Sequence, residues 1–241
     1  MAVKVEENIN IWLSQIQTEF KAAISVDCVI FGYDDNSLKV LVLECNMPPF
    51  EGMPSLVGDL VHPDENLEEA VQRVLQQRTG IKDLYLEQVQ TFSAVDRHPL
   101  GRVISTAYYS LVKVNDYNPA IMDTREKIEW VDVNEVGIMA FDHNLILEVC
   151  IERLQKVVTE KPVGFSLLPR RFTLMQLQAM YEAILGKKLD KRNFRRKLKN
   201  FKILIEHTEA QQDVAHRPAK YYSFDTQAYH KKSKNGFNFD L

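Results

Sequence analysis

Four cations stand at helical spacing near the end of this sequence. Arg192, Arg195, Arg196 and Lys199 recur at i, i+3, i+4 and i+7, while Phe194, Leu198 and Phe201 recur at the same kind of interval on the other side. A helix built this way packs one face and offers a row of positive groups on the other. A guanidinium pairs bidentately with the edge of guanine in a major groove, and an ammonium serves better as a phosphate contact. The residues expected to meet DNA are Lys188, Lys191, Arg192, Asn193, Arg195, Arg196 and Lys199, joined by His216, Arg217 and Lys220 from a hairpin that follows. A basic face alone is more often a solvated surface, so its setting decides.

That setting is a second helix and a hairpin. Thr173 and Gln176 form a capping box, Phe172 and Leu177 a hydrophobic staple, and Gly186 a left-handed stop, which predicts a helix over about Leu174 to Leu185. Leu174, Leu177, Tyr181 and Ile184 share its inner face. The turn Lys187-Lys188-Leu189 leads to Asp190, which caps the basic helix. Strand-like runs from Lys202 to His207 and Ala219 to Phe224 flank a polar stretch and read as a wing. Two helices, a short turn and a hairpin make a winged helix-turn-helix. RNA is the competing partner, but no aromatic-studded strand suited to stacking bases is evident. A protein-interaction module is a further rival.

Charge agrees with this placement. The chain of 241 residues has a net charge of −3, yet from Lys161 onward 17 Lys and Arg stand against 7 Asp and Glu. A basic end on an acidic body suits a polyanionic partner. No apolar run is long enough to span a membrane and no secretory signal is evident. Cys28, Cys45 and Cys150 lie far apart and lack zinc-site spacing, so they read as reduced core residues, and the protein is expected to be cytoplasmic.

Upstream of Lys161, strand-like runs (Ser25 to Tyr33, Leu38 to Glu44, Leu84 to Phe92, Arg102 to Val114, Ile128 to Val133) alternate with helix patterns at Asn66 to Arg78 and Asp142 to Thr159. Another amphipathic pattern covers Glu6 to Ala23. Pro162 and Gly164 punctuate the chain where the charge changes sign. The boundary is placed there, with an effector domain over residues 1–160 and a DNA-binding domain over residues 161–241.

The segment Leu56 to Ile81 resembles the Nudix box, G-x5-E-x7-R-E-U-x-E-E-x-G-U. Glu65, Arg73, Leu75, Gly80 and Ile81 match. Asp59 stands where the first glycine belongs, and Val74, Gln77 and Arg78 stand where three metal-binding glutamates belong. In that box the carboxylates converge on Mg²⁺ from one helix face. Here the face offers an aliphatic group, an amide and a cation that repels metal. No metal, cofactor or catalytic residue is therefore expected. The rival reading is a Mg²⁺-dependent hydrolase of ADP-ribose-type nucleoside diphosphates.

Beyond the box, the runs from Tyr85 to Val112, Ala140 to Leu154 and Pro162 to Leu198 resemble the Nudix-related transcriptional regulators, over about residues 20 to 225. The resemblance implies an α+β fold, an α/β/α Nudix-like sandwich with a C-terminal winged helix-turn-helix. It also implies a homodimeric repressor on a palindromic operator, released by a small effector. The eroded box is most similar to the arabinose-responsive branch, which implies a sugar effector, L-arabinose. Candidate effector ligands are Asp27, an acid within an otherwise apolar strand, and the polar loop residues Asp96, Arg97, His98 and Arg102. His143 is expected at a helix start near the domain junction.

Overall fold

The computed structural model describes residues 21–34, 37–99, 101–117, 127–211 and 218–234. Most of the helix expected over Glu6 to Ala23 lies outside these residues. Its last residue does not: Ala23 opens the first strand.

Among the described residues, seven strands build the larger sheet. β1 (Ala23–Tyr33) is central and buried along nearly its whole length, as befits a strand covered on both faces. It pairs in parallel with β6 (Val103–Lys113) and antiparallel with β2 (Leu38–Glu44). β3 (Pro54–Ser55), β2, β1, β6 and β5 (Glu87–Phe92) form one path; β4 (Val57–Leu60) adds to β1 and β7 (Ile128–Asp132) to β2. The run from Leu84 pairs only from Glu87 onward, where its register with β6 begins. Helix α1 (Leu67–Thr79) covers one face through Ala70, Val71, Val74 and Leu75. Asn66 and Glu69 cap it reciprocally, and Gly80 closes it at a φ of 74°. Helix α2 (His143–Glu160) covers the other face through Ile146, Cys150, Leu154 and Val158. The result is the expected α/β/α sandwich.

The C-terminal part is a winged helix. Helix α3 (Leu174–Leu185) has the Thr173–Gln176 capping box and a left-handed Gly186 at its end. Asp190 accepts from the Asn193 amide at 2.7 Å and caps α4 (Lys191–Phe201). Short β8 (Phe172–Thr173), β10 (Lys220–Phe224) and β9 (Leu204–Ala210) form a three-stranded sheet in that order. The expected strand at Lys202 begins later, because Lys202 ends α4 in a left-handed conformation at φ 50°. A further helix, α5 (Thr226–Ser233), was not expected; Tyr229 anchors it on Phe224.

Pro162 does not begin a loose linker. The 3-10 turn Val163–Leu167 buries Phe165 and Leu167 in a core that also holds Phe31, Leu154, Tyr181 and Phe194. Gln155 of α2 donates to the Ile184 carbonyl of α3 at 3.3 Å. One apolar cluster therefore runs from the larger sheet to the basic helix. Among the described residues, no helix is long and apolar enough to cross a membrane.

Candidate functional site

A solvent-open cleft of about 130 Å³ lies where β1, β4, the loop after β5 and the start of α2 meet. Its floor is a cluster of charge. Asp27, about 5% exposed, accepts a short hydrogen bond from Ser105 on β6. Arg97, its side chain 4% exposed, makes a bidentate pair with Asp142 at 2.6 and 2.8 Å and lies 3.8 Å from Asp27. His143 opens α2 beside them. Its Nδ1 accepts from the Leu56 amide at 3.0 Å, which places the proton of the neutral ring on Nε2, 3.5 Å from Asp27. Burial holds the His143 pKa below its ordinary value, although the carboxylates of Asp27 and Asp142 pull the other way. Burial lowers His98 in the same direction.

Backbone geometry lets these groups meet. A Cβ on Gly58 would fall 2.3 Å from Asp27 Oδ1, so only glycine allows β4 so close to that carboxylate. Phe141, held at φ 54°, carries the aromatic wall: it stacks on His98 with ring centres 4.9 Å apart and touches Phe50 and His143. A bulky residue in that conformation is strained, and strain of this kind collects at binding sites.

The expected effector ligands divide. Asp27, Arg97 and His98 line the cleft. Asp96 is exposed in its loop and outside the lining, and Arg102 turns to the Ser93 and Ala94 carbonyls at 2.7 and 2.9 Å, so it braces the loop. Ser105, Phe141, Asp142 and His143 were missed as members of the cluster. His143 does start a helix, but at the cleft. The boundary expected near residue 160 falls at the far end of α2, about 26 Å along the helix from His143.

The residues of the degenerate box bond to one another. Arg73 grips Glu65 through Nε and NH2 at 2.6 to 3.2 Å, the Leu60 carbonyl at 2.8 Å and Gln77 at 3.1 Å. Those hydrogen bonds hold the Glu65 carboxyl at a pKa of about 2. Arg78 pairs with Asp59 at 3.6 Å, and Val74 is buried under the sheet. These residues do not fit the Mg²⁺ that the box holds in its hydrolase form. Two of the three ligand positions offer no carboxylate oxygen and the third carries a positive charge. Among the described residues, no three His, Cys, Asp or Glu side chains converge as a metal site.

On α4, Phe194 and Leu198 are buried and Phe201 packs beside them, while Lys191, Arg192, Asn193, Arg195, Arg196 and Lys199 are exposed. Asn193 accepts from Arg196 at 2.7 Å, which orients that guanidinium on the surface. Two outlying cations are already engaged: Lys188 with Glu182 at 3.0 Å, and Lys220 with Glu206 across the wing. His216 and Arg217 lie outside the described residues.

Fold and site together define a Nudix-fold domain joined to a winged helix. Residues 21–154 match the model of the NUDIX domain, and residues 164–224 match that of the NrtR DNA-binding winged helix domain. The ADPR responsive transcriptional repressor NtrR of Acinetobacter baylyi is 33% identical over 86% of this chain and 83% of its own. The crystal structure of Shewanella oneidensis NrtR complexed with a 27mer DNA superposes with a TM-score of 0.70, at 29% identity, over 90% of this chain and 97% of that one. The ADP-ribose pyrophosphatase of Methanocaldococcus jannaschii is 30% identical over 52% of this chain and 71% of its own. The chain belongs to the NrtR family of Nudix-related transcriptional repressors. None of these three relatives carries arabinose in its name, so the branch expected from the sequence draws no support from them.

Proposed function

We propose that this protein is an effector-controlled repressor that reads a palindromic operator as a homodimer and leaves it when a small molecule fills the cleft. The observation that carries the DNA reading is the exposed row Arg192, Arg195, Arg196 and Lys199 on the second helix of a winged helix. His216, Arg217 and Lys220, the phosphate contacts expected from the sequence, complete this reading. The division near residue 160 separates sensor from reader. Helix α2 links them, because Asp142 and His143 touch the cleft at its start and Gln155 meets α3 near its end. An effector that binds one setting of α2 better than the other shifts the population between DNA-binding and released forms.

The cleft favours an uncharged polyhydroxyl effector. Asp27, Arg97 and His143 offer acceptors and donors at its floor, Phe141 offers an apolar wall, and its two arginines are each faced by carboxylates. A diphosphate would meet no excess of positive charge there. L-arabinose is the specific candidate. ADP-ribose is the second reading, and the name of the Acinetobacter repressor favours it. Hydrolysis of ADP-ribose, which the pyrophosphatase relative suggests, is not assigned to this chain, because Val74, Gln77 and Arg78 occupy the metal-ligand positions.

One gel-shift series tests these claims together. Upstream DNA of neighbouring genes is bound by the full chain, then challenged with L-arabinose, other pentoses and ADP-ribose. Release by a pentose alone supports the polyol reading, and release by ADP-ribose alone replaces it. Failure to bind any such DNA at physiological salt would sink the repressor. Metal-dependent turnover of ADP-ribose that is lost in Glu65→Gln would restore the hydrolase.

A further inference from the structure

The wing carries an acid on the face turned toward the basic helix. Leu204 stands opposite Phe224 and Glu206 opposite Tyr222, so all four side chains share one face of β9 and β10. Leu204, Tyr222 and Phe224 pack against the core that holds Phe194 and Leu198 of α4, which makes that face the inner one. Glu206 therefore sits between wing and helix. Both of its oxygens are engaged: Lys220 Nζ donates to Oε1, and the Tyr222 hydroxyl donates to Oε2 at 3.1 Å. Lys199 of α4 is near enough for its charge to act on the same carboxylate, and Arg195 near enough to act on Tyr222. A carboxylate here opposes the attraction of the surrounding cations for phosphate. Scaffolding does not account for it, because its side chain and that of Lys220 are 50% and 60% exposed, and such pairs add little to stability.

We propose that Glu206 is a specificity-determining residue, which keeps Lys220 from DNA of arbitrary sequence and releases it to phosphate only where the operator seats the wing. Non-specific affinity follows the number of phosphates neutralised, and each unpaired cation on the face raises it for all sequences alike. A paired Lys220 must exchange Glu206 for a phosphate, and the two anions repel while it does so. Loosely docked DNA does not hold its backbone in place for that exchange. An operator fixed by the α4 row brings its backbone to one position against the wing, where the exchange is made. The acid thus lowers background binding more than operator binding, which is discrimination by repulsion. This inference rests on the winged helix being a DNA reader.

The test is fluorescence anisotropy on the full chain, with the upstream duplex retained in the gel shift and a shuffled duplex of equal length, between about 50 and 200 mM salt. Wild type, Glu206→Gln, Lys220→Gln and the double variant are compared. Glutamine at 206 keeps an acceptor for Tyr222 and removes the charge. The expected result in Glu206→Gln is an affinity for the shuffled duplex raised about three- to tenfold, with a salt dependence steeper by about one phosphate contact and a smaller gain on the upstream duplex. The gain should be absent in the double variant. Lys220→Gln should weaken the upstream duplex more than the shuffled one, and it carries the test should Glu206→Gln perturb the fold. Unchanged shuffled affinity in Glu206→Gln overturns the proposal, as do an equal gain on both duplexes, a gain that persists without Lys220, and equal losses on both duplexes in Lys220→Gln. If wild type binds neither duplex, the DNA reading falls and this inference with it. If wild type prefers the upstream duplex and Glu206→Gln matches it on both, only the role of Glu206 falls.

Discussion

Arg97 and Arg195 carry the same guanidinium into opposite surroundings. Arg97 is almost wholly buried, chelates Asp142 and faces Asp27. Arg195 stands exposed on α4 in a row of like charges. A buried cation persists because its partners are already in place, and removing either side leaves an uncompensated charge. An exposed cation costs little to leave in water and keeps its pairing capacity for a polyanion. The molecule thus holds one set of charges satisfied internally, where a small ligand must compete with or join existing bonds. It holds another set ready for phosphate and base edges. Pre-satisfied polar groups suit a switch, and a solvated cationic face suits long-range attraction and salt-dependent binding.

The sharpest way to break this contrast is to remove Arg97. Arg97→Met leaves Asp27 and Asp142 together in a nearly buried place, and unfolding stability should fall by about 3–5 kcal/mol. Urea denaturation followed by circular dichroism measures it. A loss below about 1 kcal/mol would mean that the cluster is wetter and looser than its geometry indicates. Removing exposed charge should do the reverse. Arg195→Ala with Arg196→Ala should leave stability nearly unchanged, yet weaken operator binding by about 2–4 kcal/mol, roughly 30- to 1,000-fold. Fluorescence anisotropy at fixed salt reads the loss, and wild-type affinity in the double variant would remove α4 as the reader.

The two regions also differ in how far sequence alone reaches them. The α4 row was legible because helix periodicity is local: knowing the caps Thr173 and Asp190 and the stripe Phe194, Leu198 and Phe201 puts the arginines on the other face. The cleft is not local. Arg97 meets Asp142 across 45 positions, Ser105 meets Asp27 across 78 and Leu56 meets His143 across 87. An acid inside an apolar strand told that Asp27 needs a partner, without telling which. Asp96 and Arg102 looked equivalent to Arg97 and His98 because loop direction decides which side chains turn inward, and no periodicity records it. Much of the sheet followed from alternation and turn residues. Strands as short as β3, β4 and β8 carry too few residues to show a period, and α5 is an eight-residue helix with a weak apolar face.

Smaller effects should separate scaffold from site within the reader itself. Thr173→Ala removes the side-chain cap of α3 and Asp190→Ala that of α4, and each should lower stability by about 1 kcal/mol. Asp190→Ala should weaken DNA binding as well, because it frays the turn that carries Lys191 and Arg192. Thr173→Ala should weaken it less, since the α3 cap is tied into β8 and the core. Thermal melts paired with anisotropy compare the two, and equal DNA losses would mean that cap stability alone governs reading.

Acidification should touch the cleft before the reader. His143 is buried with its pKa below the usual histidine value, and its Nδ1 accepts the Leu56 amide, a bond that a protonated ring cannot make. The folded state therefore binds this proton less readily than the unfolded chain. The stability it contributes is complete above the ordinary histidine pKa of about 6.5 and is lost as pH falls through that value toward the depressed folded one. His98 acts in the same direction. Glu65, held at about 2, keeps its contribution until pH falls below about 4.5, so the window from roughly pH 7.5 to 5.5 isolates the histidines. Across that window the urea midpoint of wild type should decline, and His143→Asn should decline less, because His98 is then the one depressed histidine left at the cleft. Exposed arginines do not titrate there, so the part of the DNA affinity that comes from the α4 row should hold until the fold itself begins to fail. An identical pH slope in His143→Asn would show that the imidazole titrates with water at hand and is not held in the buried cluster.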